Sequence, residues 1–119
     1  MKHSSEFHDY IVYDVFAGIP GITSRKMFSG YGIYKDGIIF AIIAGSDVYF
    51  RTDDKTRPLF EKYGSEPFSY ERLGKIAVLK NYWRLPEEIM EDHEKVFEWV
   101  LSAVEASVHK NIKIKKRSH

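Results

Sequence analysis

The sequence predicts a two-layer α+β domain with a largely antiparallel sheet of five strands and the element order α-β-β-β-α-β-β-α. Apolar residues recur at helical spacing near both ends of the chain, and short strand-like runs separated by turn residues lie between them. The turns are too short to hold the crossover helices that parallel strands need. The strands are therefore expected to pair antiparallel, with the helices packed against the sheet.

The first predicted helix covers residues 4–17. Ser4 or Ser5 can cap it, and Pro20 lies in the segment that ends it. Its apolar residues fall at helical spacing and predict its buried face: Phe7, Ile11, Val12, Val15 and Phe16.

A meander is predicted to follow. Four segments have strand character: residues 22–28, 31–34, 38–44 and 48–51. Asp36-Gly37 is a strong hairpin signal because both residues tolerate the positive φ of a type I′ turn, and residues 44–47 form a second turn. The predicted order nevertheless counts three strands here, which gives five in the whole sheet.

A short helix is predicted after the meander. Asp53 or Asp54 can cap it, and Gly64 can end it near residue 63. Leu59 and Phe60 are expected to point inward from this helix.

Two short strands, at residues 67–70 and 75–79, are predicted to flank a turn at residues 73–74. One long helix then begins with Pro86 in its first turn. Its predicted apolar stripe is Ile89, His93, Val96, Phe97, Val100, Leu101, Val104 and Val108, with Trp99 on or beside the buried face.

Composition excludes several classes of protein. The chain has 119 residues, of which 44% are hydrophobic and 29% charged, which is typical of a globular domain. It contains no cysteine, so disulfides, thiolate metal sites and thiol nucleophiles are excluded. The longest apolar run, residues 38–44, is too short to span a membrane, and no signal peptide is visible. We therefore expect a cytoplasmic protein.

Charge divides the chain into two parts. Residues 1–109 carry 13 Lys/Arg against 17 Asp/Glu, a net charge of −4, and are predicted to form a single domain. Residues 110–119 are predicted to be a flexible basic tail. Its five cations are Lys110, Lys113, Lys115, Lys116 and Arg117. Such a tail can bind nucleic acid through its phosphates, or can simply aid solubility.

No catalytic or metal-binding constellation is visible. Residues 91–94 read Glu-Asp-His-Glu, but consecutive helical residues point about 100° apart and cannot converge on one ion. His93 is thus expected to be a partly buried structural residue. Gly30 and Gly32 precede a strand and not a helix, which favours a bend or bulge over a phosphate loop. We predict no enzyme activity, cofactor or metal.

Aromatic residues are abundant in the predicted sheet, and basic residues lie among them: Arg51, Lys75 and Arg84. Such a face can stack single-stranded bases, although a sheet of this size also needs large residues for its core.

Residues 38–44 are apolar on both alternating faces. One face would hold Ile38, Phe40, Ile42 and Ala44, and the other Ile39, Ala41 and Ile43. In a two-layer fold the helices cover only one of these sets. The second set is expected to meet a protein partner or another copy of the chain, unless Tyr49 and Arg51 cover it.

Residues 25–43 read Arg-Lys-Met-Phe-Ser-Gly-Tyr-Gly-Ile-Tyr, then a hairpin and an apolar strand. This segment resembles the opening motif of the N-terminal domain of TfoX/Sxy-like proteins, typically R-x-M-F-G-G-x-G-I-Y, with Ser29 where the family usually has another glycine before Gly30. The resemblance extends over about residues 5–107. The matching residues are Arg25, Met27, Phe28, Gly30, Gly32, Gly74, Lys75, Tyr82, Leu85 and Pro86.

The resemblance implies a two-layer α-β₃-α-β₂-α fold similar to that of secretion chaperones. Longer members regulate natural competence, carry a second C-terminal domain, and are understood to contact a cyclic-AMP-responsive transcription activator. It implies for this chain a non-enzymatic interaction domain that acts through a protein partner, either a transcription regulator or a second copy. The alternative is a nucleic-acid-binding accessory protein that uses the basic tail and the sheet aromatics.

Overall fold

Six strands pair antiparallel in a single sheet, in the spatial order β1-β2-β3-β4-β6-β5. The computed structural model describes residues 4–27 and 30–117, and the side chains of residues 5–27 and 30–109. The strands are β1 (Ile22–Met27), β2 (Gly30–Lys35), β3 (Ile38–Ala44), β4 (Asp47–Arg51), β5 (Pro67–Arg72) and β6 (Lys75–Arg84).

The helices contribute to one hydrophobic core on one face of this sheet. They are α1 (Ser4–Asp9), a π-helix (Tyr10–Val15), α2 (Arg57–Lys62), α3 (Glu87–Met90) and α4 (His93–Arg117). Three phenylalanine rings, Phe16, Phe40 and Phe50, meet at the centre of the core with centroids 5.6–6.0 Å apart. The predicted two-layer α+β class is confirmed.

The predicted number of strands was wrong by one. All four segments of residues 22–51 that have strand character do pair in the sheet, so six strands form and not five. Both predicted hairpin turns of this meander are present. Asp36 and Gly37 have φ of 52° and 83°, as a type I′ turn requires, and Gly45 has φ of 63°.

A bulge in β3 overturns the predicted division of its faces. Ile33 pairs with Ala41 whereas Tyr34 pairs with Ile39, so Phe40 is an extra residue on β3. Phe40 and Ala41 are consequently both fully buried, and Ile39 is only half-buried. An unpaired residue interrupts strict alternation, which is the pattern on which the prediction depended.

The first helical segment buries the predicted face, but its second half is a π-helix, which is wider than an α-helix. Ile11, Val15 and Phe16 are buried, and the Phe16 amide donates to the Ile11 carbonyl, five residues back, at 2.9 Å. This i→i+5 pattern is that of a π-helix, which occurs frequently at functional sites.

The predicted long C-terminal helix is divided into α3 and α4. Asp92 interrupts it, because its carboxylate accepts hydrogen bonds from the amides of Glu94 and Lys95 and so caps α4. Pro86 precedes α3 in an extended conformation. His93 is exposed, so the expectation of a partly buried histidine was wrong.

The buried stripe of α4 is also rotated from the predicted one. Phe97 and Leu101 are 42% and 44% exposed, and small residues take their place in the core: Ala103, Ala106 and Ser107. The Ser107 hydroxyl donates to the Ile39 carbonyl at 2.6 Å. Small side chains let α4 approach the sheet closely. Trp99 lies beside the buried face as predicted, with its ring 4.7 Å from that of Phe60.

Helix α2 presents one of its two predicted inward residues. Phe60 is buried, but Leu59 is 44% exposed. Of the two proposed caps, Asp53 is the one whose carboxylate accepts from the amides of Lys55 and Thr56, at 3.0 and 2.9 Å, in the turn that leads into α2.

Asp53 provides a prediction about pH. Partial burial alone would raise the pKa of its carboxyl, but the hydrogen bonds from Thr56 and Lys55 outweigh burial and hold the pKa below its usual range. The ionised Asp53 carboxylate therefore stabilises the folded domain fully above the ordinary aspartate pKa of about 3.9. This stabilisation is lost as the pH falls through the lower pKa of Asp53 in the folded state. We expect Asp53→Ala to destabilise the domain by about 1 kcal/mol at pH 7. Chemical denaturation at pH 7 and pH 2.5 should show that difference shrinking in acid, and a constant difference would contradict the assignment.

Helix α4 continues to Arg117, so its last turns overlap the segment predicted as a basic tail. The side chains of residues 110–119 lie outside the described part, and the flexibility of this tail stays a prediction. Among the described residues, no helix is both long enough and apolar enough to cross a membrane.

Candidate interaction surfaces

The helices leave the second face of the sheet uncovered, and we call this the open face. The register places Arg25, Gly32 and Ile42 on it in a row across β1, β2 and β3. A Cβ atom added to Gly32 would lie 2.8 Å from the Met27 methyl and 3.2 Å from Ile39 Cδ1. Gly32 is therefore the floor of a half-buried apolar cluster to which Tyr34 also contributes.

Aromatic rings continue the open face across β4 and β5. The Tyr49 ring lies 4.9 Å from Phe68, which stacks on Tyr70 at 5.7 Å. Burial, reinforced by the charge of Asp47, raises the pKa of Tyr49 above its usual range. Its hydroxyl thus remains protonated at neutral pH and can donate a hydrogen bond.

Arginines lie among these rings. The Arg51 guanidinium stands over the Tyr82 ring, 5.4 Å from its centroid, which is within cation–π distance. Arg84 forms an ion pair with Glu66 at 3.1 Å. These contacts orient both cations along the open face.

The motif residues do not form one site. Arg25, Met27, Gly32 and Tyr82 lie on the open face. The remaining described ones are elsewhere: Gly30 at the start of β2, Gly74 and Lys75 at the β5–β6 turn, and Leu85 and Pro86 buried after β6. Phe28 lies outside the described residues, as do the side chains of the five tail cations.

Gly30 is required by a close approach of the backbone. A Cβ atom at this position would collide with the carbonyl oxygen of Ile43 on β3. Neither Gly30 nor Gly32 has a positive φ, and the irregularity of register lies beside them, at Ile33 and Tyr34. The predicted bend at these glycines was therefore wrong, and the structure shows close packing there instead.

The β5–β6 hairpin extends beyond the rest of the sheet, and we call residues 69–80 the arm. Strand β4 pairs with β6 only at Tyr82, Trp83 and Arg84, so within the described structure the two strands of the arm pair only with each other. Every residue of the arm except Ala77 is exposed, including Leu73 at 92% and Ile76 at 70%. The sequence indicated the hairpin but not its projection, because the point at which β4 stops pairing with β6 is not visible in the residues of the hairpin.

A groove of about 560 Å³ lies where the β3–β4 turn and the end of β6 meet α1 and α3. Tyr10, in the π-helix, and Tyr63 are among its walls. We call it the acidic groove because four carboxylates border it: Asp47, Glu87, Glu88 and Glu91. Glu87 and Glu88 open α3, where acidic residues favour the helix dipole, so their place in the sequence does not by itself indicate a groove.

In the part of the chain that the structure describes, no three histidine, aspartate or glutamate side chains are arranged to hold a metal ion.

The fold and these surfaces define a two-layer α+β domain with an uncovered sheet face, a projecting arm and an acidic groove. The chain belongs to the TfoX N-terminal domain family, which matches residues 14–107.

Two curated proteins are similar to it. The DNA transformation protein TfoX of Haemophilus influenzae is 30% identical over 73 residues, which cover 60% of this chain and 34% of that protein. Protein Sxy of Escherichia coli is 24% identical over 96 residues, which cover 81% of this chain and 46% of Sxy. The chain thus spans between a third and a half of the length of these relatives.

Proposed function

We propose that this chain is a regulatory domain of the competence type that acts, without catalysis, by binding a protein partner on its open face. Family membership supports the regulatory role. Two observations favour the open face as the site of contact. Four motif residues lie on it, and no helix of the described structure covers its apolar cluster.

The chemistry of this face suits a protein more than a small substrate. An apolar cluster flanked by aromatic rings and arginines has the composition of an interface core, in which tyrosine and arginine are enriched. A partner with an apolar patch and an acidic rim would fit it. A transcription regulator is such a candidate by resemblance, and binding to it would place the chain in the cytoplasm.

The test compares neighbouring residues of β1 whose side chains point to opposite faces. Arg25 lies on the open face, and Lys26 lies on the helix side; both are exposed. Arg25→Glu and Lys26→Glu make the same change of charge. With a purified cyclic-AMP-responsive transcription activator as the probe, we expect Arg25→Glu to weaken binding about tenfold or more. Lys26→Glu should leave it unchanged.

Thermal melts of both variants should match the wild type, because exposed charges contribute little to stability. Equal effects of the two substitutions, or no binding by the wild-type chain, would reject the open face as the site for this partner.

The second candidate function is binding of single-stranded nucleic acid. The stacked rings of Phe68 and Tyr70, with Arg51 on the same face, are the observation that favours it. The net charge of −4 on residues 1–109 opposes it. A labelled oligonucleotide used as a second probe distinguishes the two candidates, since binding to phosphates weakens steeply with salt. Loss of that binding when residues 110–119 are removed would assign it to the basic tail.

A further inference from the structure

The arm combines exposed apolar residues with positive charge. The arm contains three cations, Arg72, Lys75 and Lys80, against one carboxylate, Glu71, so its net charge is +2. Leu73 and Ile76, at the tip, are the most exposed large hydrophobic residues of the described chain. Leaving such side chains in water forfeits the free energy of their burial, so an exposed apolar tip indicates a contact.

The conformation of Leu73 supports this. Leu73 has φ of 53°, in the first central position of the turn, where asparagine or glycine is strongly preferred. A leucine there strains the backbone, because its Cβ crowds the neighbouring carbonyl oxygen in the left-handed region. Strained backbone positions cluster at functional sites, and this one also exposes a large apolar side chain.

The acidic groove has the complementary chemistry. Among the residues that the structure describes, four carboxylates and one cation border it, and that cation, Arg84, already pairs with Glu66. Its aromatic walls offer apolar surface, and its volume of about 560 Å³ is similar to that of pockets that enclose small ligands, so a few side chains can enter it. A basic, apolar hairpin tip is the kind of ligand that it fits.

The arm tip and the groove of one chain lie at opposite ends of β6. Strand β6 begins at the arm tip and ends at Arg84, on the border of the groove. Ten residues of strand span about 30 Å. The tip therefore cannot reach its own groove while β6 remains a strand.

We propose that the arm of one copy docks in the acidic groove of a second copy. Reciprocal exchange of the two arms closes a symmetric dimer in which each contact is made twice. This inference does not depend on the proposed function, because it uses neither the open face nor its partner.

The experiment is a charge swap in the full chain. The arm variant carries Arg72→Glu and Lys75→Glu, and the groove variant carries Glu87→Lys and Glu91→Lys. Sedimentation at low salt should show the wild type as a dimer that dissociates as salt is added. Each variant alone should dimerise about tenfold or more weakly, because like charges then meet in both contacts. An equimolar mixture of the two variants should form dimers again, since both of its contacts pair opposite charges.

Two further variants control for folding and for general charge effects. Glu98→Lys with Glu105→Lys makes the same change of charge on exposed positions of α4 that do not border the groove, and should dimerise like the wild type. Leu73→Asn should melt at or above the wild-type temperature, because it relieves the strained turn, and yet dimerise more weakly.

A monomeric wild type would overturn the proposal, as would dimers that neither variant weakens or a mixture that is not restored. Loss of dimers only after neutralising the cations of residues 110–117 would identify the basic C-terminal segment as the occupant instead.

Discussion

Replacing Phe40 with alanine is expected to lower the free energy of unfolding by about 3–5 kcal/mol, a large part of the stability of a domain of this size. Phe40 is fully buried, and its ring lies 5.6 Å from both Phe16 and Phe50. The cavity left by its ring would be walled by two other rings and by the bulged backbone of β3. The surrounding groups cannot easily move in to fill this cavity. The bulge fixes the backbone of β3, and the helix that carries Phe16 is held by its own hydrogen bonds.

Phe97→Ala is the matched control. The same atoms are removed, but the ring is 42% exposed on α4, so we expect a loss of about 1 kcal/mol or less. Denaturant titration of both variants measures the two values. Similar losses would mean that the bulge does not direct Phe40 into the core.

Replacing Gly30 with alanine is expected to be at least as damaging, at about 3 kcal/mol or more, or to prevent folding. The new Cβ atom would meet the carbonyl oxygen of Ile43, which belongs to the central strand and cannot rotate away. The pairing of β2 with β3 would have to open at that end.

Gly32→Ala adds the same methyl group, but the atoms nearest to it are the ends of flexible side chains and not backbone atoms. Its Cβ would press on the Met27 methyl and the end of Ile39, both of which can turn aside, so a loss of about 1–2 kcal/mol is expected. Thermal melts of the two variants show which of them loses more stability. If Gly32→Ala proves the more damaging, close approach to the backbone is not the reason for Gly30.

The sequence was informative where local chemistry decides the structure. Asp36-Gly37 fixed its turn because both residues accept a positive φ, and the short turns excluded parallel strands. The spacing of Ile11 and Val15 identified a true buried face, since helical periodicity survives the widening into a π-helix. Family membership, too, was visible in the residues themselves.

Side-chain packing decided the rest. The bulge at Phe40 breaks alternation, and nothing in residues 38–44 distinguishes a bulged strand from a regular one. On α4, close approach to the sheet requires small residues, so Ala103 and Ser107 are buried where size alone favoured Phe97.

The surfaces were the least predictable part, because they arise between distant segments. The acidic groove joins Asp47 to Glu87 and Tyr10, which are remote in sequence. The arm projects because β4 ends at Arg51, and the composition of β6 itself does not reveal that its neighbour stops.

The strand order has one more consequence, which concerns how this protein avoids aggregation. The two outermost strands, β1 and β5, leave backbone groups unpaired along the borders of the sheet. β1 carries Arg25 and Lys26 there, and β5 begins with Pro67 and ends with Glu71 and Arg72. Charge and proline at such borders disfavour the addition of a foreign strand. The proposed contacts of this domain accordingly use side-chain surfaces, where specificity can be encoded, and not backbone pairing, which accepts almost any sequence.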